Sequence, residues 1–97
     1  MSKVISIERK DAELKLNAVY PNPNDGNFVV NLTSMPNEDG KIILVNALGV
    51  KVFTKELNAQ GGRTIEKINV SHLPTGIYTL LLEQNDEIIT KRVMIDR

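Results

Sequence analysis

The sequence predicts an all-β fold, an Ig-like β-sandwich of about seven antiparallel strands. Three observations carry that reading. From Leu14 onward, short runs rich in Val, Ile, Leu, Thr and Phe recur at regular intervals, each bounded by Pro, Gly, Asn or Asp. Within several runs apolar and polar residues alternate, which puts one set of side chains on a buried face. No stretch repeats apolar residues at i, i+3, i+4 and i+7 for long enough to make a helix; residues 10–15 come nearest and are too few.

The elements follow in order. Leu14, Leu16 and Ala18 alternate with Lys15 and Asn17, a half-buried strand that ends at Tyr20. Pro21-Asn22-Pro23-Asn24-Asp25-Gly26 stops it, because the prolines fix φ and remove two donors while Asn, Asp and Gly accept left-handed backbone. Phe28, Val30 and Leu32 alternate with Val29 and Asn31 in a second strand, closed by the turn Pro36-Asn37-Glu38-Asp39-Gly40. Residues 41–46 contain four consecutive aliphatics and read as a central strand covered on both faces. Asn46-Ala47-Leu48-Gly49 turns the chain, with Gly49 expected at positive φ. A fourth strand runs from Val50 to Leu57, and the adjacent Val52 and Phe53 break its alternation, which points to a bulge near Phe53. Residues 58–62 read as a flexible hairpin loop. Residues 64–70 form the fifth strand, with Ile68 and Val70 on one face; residues 71–76 are a tight connection. Residues 77–83 and 88–95 are the sixth and seventh strands, joined across Gln84-Asn85-Asp86-Glu87. Residues 1–12 read as a linker, an extra edge strand or an added start, and residues 13–97 as the domain.

Composition narrows the function. The 97 residues suit one domain, since domains cluster at about 100–150 residues, and a chain of this size can bury a real core. Twelve basic and twelve acidic residues give a formal net charge of zero, which argues against a nucleic-acid or membrane-surface role. There is no cysteine, so disulfides, thiolate chemistry and cysteine-ligated metals are excluded. The apolar runs fall far short of the ~20 residues that span a bilayer. Met1 to Ile5 contain no apolar leader segment or small-residue cleavage site, so no secretory leader is expected within them.

Nor is a catalytic constellation visible. The single histidine, His72, cannot anchor a familiar zinc site without cysteines, and it reads as a loop residue packed against Leu73 or Pro74. No nucleophile-elbow, zincin or P-loop motif occurs. Asn22, Asn24 and Asp25, and again Asn37, Glu38 and Asp39, cluster oxygens, but calcium wants about six to eight with several carboxylates. Turn chemistry accounts for both clusters, and no metal or cofactor is expected. Carbohydrate binding is the rival function for a sandwich and normally uses exposed aromatic platforms. Here there is no Trp, and of two Tyr and two Phe residues, Phe28 and Phe53 are expected in the core.

The punctuation marks also form a series. Tyr20-Pro21-Asn22-Pro23, then Gly26 and Phe28, then Asn46-Ala47-Leu48-Gly49, then Leu73-Pro74-Thr75-Gly76-Ile77-Tyr78, then Lys91-Arg92-Val93-Met94-Ile95 follow one another along residues 17–95. This series resembles the type A C-terminal sorting domain of the type IX secretion system. Each motif is weak alone; four in the right order at the right spacing are specific. After Ile95 the chain continues with Asp96-Arg97, two charged residues past that family's usual aliphatic stop.

The resemblance implies a non-catalytic, Ig-like sandwich that addresses cargo of Bacteroidetes-type bacteria to the outer-membrane translocon. Cargo would pass through the periplasm and end at the cell surface or in the medium, with a sortase-like cysteine protease typically removing the domain. The implied partners are the translocon, that protease and an N-terminal cargo domain. Pro21, Pro23 and Gly26 would fix the first corner, and Gly49 and Gly76 would supply backbone that a side chain obstructs. Tyr78 would sit in the core with its hydroxyl on a loop carbonyl. Lys91, with Val93 and Ile95, would contribute to translocon recognition; a solvated cation on an outward strand face is the plainer reading of Lys91. The alternative function is an accessory adhesion or carbohydrate-binding module. For the sorting function the exposed last hairpin, by its edge or by a mixed apolar and basic patch, is the expected contact surface.

Overall fold

Alternation along the chain becomes two facing sheets. The computed structural model describes residues 14–36, 38–57 and 60–96. Its strands are β1 (Lys15–Tyr20), β2 (Asn27–Pro36), β3 (Gly40–Val45), β4 (Lys51–Leu57), β5 (Gln60–Asn69), β6 (Gly76–Gln84) and β7 (Glu87–Ile95). One sheet has the order β1-β2-β5 and the other β4-β3-β6-β7, with every neighbouring pair antiparallel. No helix occurs among the described residues. The chain is therefore the all-β sandwich that the strand pattern predicts. The expected linker or extra edge strand at residues 1–12 lies outside the described residues.

The core lies between the sheets and is built from the alternating residues. Phe28, Val30 and Leu32 of β2 face Ile42 and Leu44 of β3 and Tyr78, Leu80 and Leu82 of β6; Val93 and Ile95 close it from β7. Several of these are fully inaccessible, including Leu32, Leu80, Val93 and Ile95. Burial of such aliphatic side chains is the main drive for the two layers to close.

Two bulges interrupt the ladders. In β1 the register with β2 jumps between Leu16 and Ala18, leaving Asn17 unpaired, and its amide instead reaches Thr33 Oγ1 at 3.0 Å. In β4 the partners of Leu44 and Val45 are Phe53 and Lys51, so Val52 is the extra residue. That is the bulge the adjacent Val52 and Phe53 predict, and it lets both side chains pack against the core.

Two expectations are corrected. Residues 58–62 do not close a hairpin: β4 pairs with β3, β5 pairs with β2, and the link crosses from one sheet to the other. Local alternation cannot distinguish a hairpin from a crossover, because both join two half-buried strands. Central strand β3 is buried on both faces, as its aliphatic run predicts, with no third layer among the described residues. Ile43 faces away from the core yet is only 3% exposed, with Thr54 and Leu81 as its cross-strand neighbours on that face. The β6–β7 connection is shorter than four residues: only Asn85 and Asp86 lie outside the strands, both at positive φ, as a type I′ hairpin turn requires. Gln84 is thus a strand residue, buried to 1% exposure. Its amide bonds Met35 N and O and Glu38 O, which ties β6 to the end of β2.

Candidate functional site at one end of the sandwich

Motifs far apart in sequence meet at one end of the sandwich. The turn after β1 carries Tyr20, Pro21, Asn22 and Pro23 exposed, with Asn24 and Gly26 buried behind them. The peptide bonds preceding Pro21 and Pro23 are both cis. Asn24 Nδ2 donates to Pro21 O at 3.0 Å and its Oδ1 accepts from Gly26 N at 2.8 Å, so one side chain staples the turn. Asp25 Oδ1 accepts from Asn27 N at 3.1 Å. These side-chain oxygens serve the backbone in the manner of Asx turns.

The same turn lies along the outer edge of β7. Asn22 Oδ1 accepts from Met94 N at 2.9 Å, and its Nδ2 donates to Arg92 O at 3.0 Å. The backbone of Asn24 continues the contact, donating to Met94 O at 3.0 Å and accepting from Asp96 N at 2.7 Å. A parallel bridge between Asn24 and Ile95 results.

The remaining motif residues lie at the same end of the sandwich. Gly26 O accepts from Val70 N at 2.7 Å, and a Cβ on Gly26 would stand 2.6 Å from Ser71 Cα. Only glycine fits so close an approach, and φ there is +105°. Gly49 lies at φ +83° in the β3–β4 turn, where Asn46 Oδ1 accepts from Leu48 N at 2.9 Å and from Val50 N at 3.0 Å. Gly76 differs from the expectation: its φ is not positive, and a Cβ there would meet Tyr78 Cε1 at 3.6 Å, an ordinary contact. Phe28, Leu73 and Tyr78 are buried, and the Tyr78 hydroxyl donates to Pro74 O at 2.7 Å, the geometry of a tyrosine corner. His72 is exposed in the loop after β5.

On β7 the residues divide by parity. Val93 and Ile95 have no exposed surface, so they support the strand from beneath. Lys91 shares their core-side face, paired with Leu80, yet remains exposed because β7 is an edge strand. Arg92 and Met94 face outward, and Met94 pairs with Ile77; these two apolar residues are 39% and 46% exposed. The accessible surface of the last strand at this end is therefore Lys91, Arg92 and Met94.

A family model described as the secretion system C-terminal sorting domain matches residues 18–96. The chain belongs to that family. The match runs from β1 to the residue after β7 and so takes in every motif of the series. A type IX sorting domain directs export through the cell envelope to the surface or the medium, and works with the type IX secretion machinery. The family is defined by sorting, with no catalytic activity in its description. No curated protein matches the sequence.

The opposite end of this sorting domain has a different character. An open groove of about 530 Å³ lies there, with Asp39, Glu56, Glu83, Asp86 and Glu87 on its walls. No group of three His, Cys, Asp or Glu residues suited to a metal ion occurs among the described residues.

Two polar residues with clear structural jobs escape motif reading. Gln84 carries a signal, since it occupies the inward parity of Tyr78, Leu80 and Leu82 and so had to be buried and bonded. Asn22 carries only a faint one. Between two prolines it is the only residue of that tripeptide with polar hydrogens to donate, but nothing local names β7 as its partner.

Proposed function

We propose that this chain is a folded export address whose docking surface is the motif end of the β6–β7 hairpin. It carries no catalysis of its own. Cargo attached to it passes through the periplasm, meets the outer-membrane translocon as a folded surface, and is released from the domain by a sortase-like protease. The observation that carries this reading is convergence: the first motif of the series hydrogen-bonds the last, across 72 positions of sequence between Asn22 and Met94. A first turn that served only to end its own strand would have no reason to bond the edge of the last one.

Lys91, Arg92, Met94 and Ile77 form the proposed contact, a mixed basic and apolar patch. Pairing a partner strand to β7 along its first half is the less favourable mode. A strand added there would bury the Lys91 ammonium on the core-side face, the protective device edge strands commonly use. Face-on contact leaves that charge free to pair.

The test fuses the whole chain behind a signal peptide and a reporter in a type IX-competent bacterium. Wild-type fusion reaches the surface or medium. Lys91→Ala and Met94→Glu lower exported reporter about tenfold or more, the effect of losing at least ~1.4 kcal/mol of binding, while stability moves by no more than about 0.5 kcal/mol for Lys91→Ala. Retention of the wild-type reporter in the periplasm with the domain intact would overturn the reading. Glycan binding by the domain together with that retention would favour the adhesion alternative.

A further inference from the structure

We infer that Asn22 is a positioning residue for export, its carboxamide serving as a one-residue substitute strand that holds the docking end of β7 in place; this rests on the sorting function proposed above. β7 is an edge strand. On its outer side the backbone groups of Arg92 and Met94 point away from β6 and need a partner or water. Asn22 answers them as a neighbouring strand would: Oδ1 accepts from Met94 N at 2.9 Å and Nδ2 donates to Arg92 O at 3.0 Å. Asn24 extends the substitute ladder by one more pair, to Met94 O and Asp96 N. Together these four bonds close the edge from Arg92 to Asp96, the stretch that displays Arg92 and Met94 to solvent.

The chemistry of the turn explains why the side chain is an asparagine. Pro21 and Pro23 have no N–H, so neither can donate to the Arg92 carbonyl. A carboxamide carries one acceptor and a donor group on a short stem, which matches the donor and acceptor that β7 offers. Aspartate has the same shape but no donor. It could accept from Met94 N only by setting its second oxygen against the Arg92 carbonyl oxygen, a repulsion that drives the side chain off the strand edge and frees both groups. Asn22 is itself exposed and belongs to no part of the buried core. Its loss should therefore free the strand end without dissolving the sandwich, unlike loss of the buried Asn24 or Gly26.

The experiment combines amide hydrogen exchange by NMR on the full chain with the reporter-export assay, for wild type, Asn22→Asp and Asn22→Ala. Exchange at the Met94 amide should rise about tenfold or more in both variants, with amides of β3 and β6 keeping their wild-type protection. Exported reporter should fall in parallel, more for Asn22→Asp than for Asn22→Ala. Unchanged exchange at Met94 overturns the contact. Faster exchange at Met94 with wild-type export overturns the positioning role, as does a loss of protection throughout β3 and β6, which would make Asn22 a general stability residue. A wild-type fusion that is not exported overturns the sorting function and this role with it, and the exchange data then still report on the contact alone.

Discussion

Replacing Gly26 by alanine puts a methyl group into backbone. The new Cβ would lie 2.6 Å from Ser71 Cα and 2.9 Å from Ser71 N, distances that real Cβ atoms essentially never show. No rotamer change relieves this, because both obstacles belong to the main chain where β5 ends. The residue also sits at φ +105°, a region L-residues rarely adopt, and holding it there costs about 1–3 kcal/mol. Moving the two strands apart weakens the bond from Val70 N to Gly26 O, now 2.7 Å, worth about 0.5–1.5 kcal/mol. The expected loss is therefore roughly 2–4 kcal/mol, a large share of the ~5–15 kcal/mol that holds a domain of this size. At about 4–8 °C per kcal/mol for a small domain, the unfolding midpoint should fall by at least ~8 °C. Gly49→Ala is the control: φ is +83°, but nothing lies within 4 Å of the new Cβ, so only about 1–2 kcal/mol is at stake. Circular dichroism thermal scans and urea midpoints measure both variants. A Gly26→Ala midpoint no lower than that of Gly49→Ala would refute the argument from backbone contact.

Two further outcomes follow from buried hydrogen bonds. Tyr78→Phe removes the 2.7 Å bond to Pro74 O while keeping the ring in place, and should cost about 1 kcal/mol, read as a midpoint shift of roughly 4–8 °C. Gln84→Leu strips partners from Met35 N, Met35 O and Glu38 O at the end far from the motif cluster. It should cost about 2–4 kcal/mol in urea unfolding, yet leave reporter export unchanged at temperatures where the domain stays folded.

Much of the molecule was legible in its order of residues. The inward set of β2 (Phe28, Val30, Leu32) and of β6 (Tyr78, Leu80, Leu82) follows from alternation, because the strand period of two ties burial directly to parity. The bulge at Val52 was legible for the same reason: two apolar neighbours cannot both face inward unless the strand slips by one. Turn positions such as Gly49 were legible because so few residue types tolerate their backbone. Gln84 is readable by parity, but Gln84-Asn85-Asp86-Glu87 reads equally as a four-residue polar loop, and only the ladder shows that the strand runs on to Gln84.

The motif series by itself determined the family, since spacing and residue type along the chain are one-dimensional information. It also marked Tyr20-Pro21-Asn22-Pro23 as a place where a strand must end, because proline withholds donors regardless of what lies nearby. Only the tertiary structure decided what that turn touches. Which sheet β4 joins, that Val93 and Ile95 are interior while Arg92 and Met94 are surface, and that Asn22 reaches the edge of β7 all depend on how the sheets are ordered and laid against one another. Those choices are made by many buried contacts acting together, and no local run of residues encodes them. A turn that in sequence only closes the first strand thus becomes, in three dimensions, the support of the last.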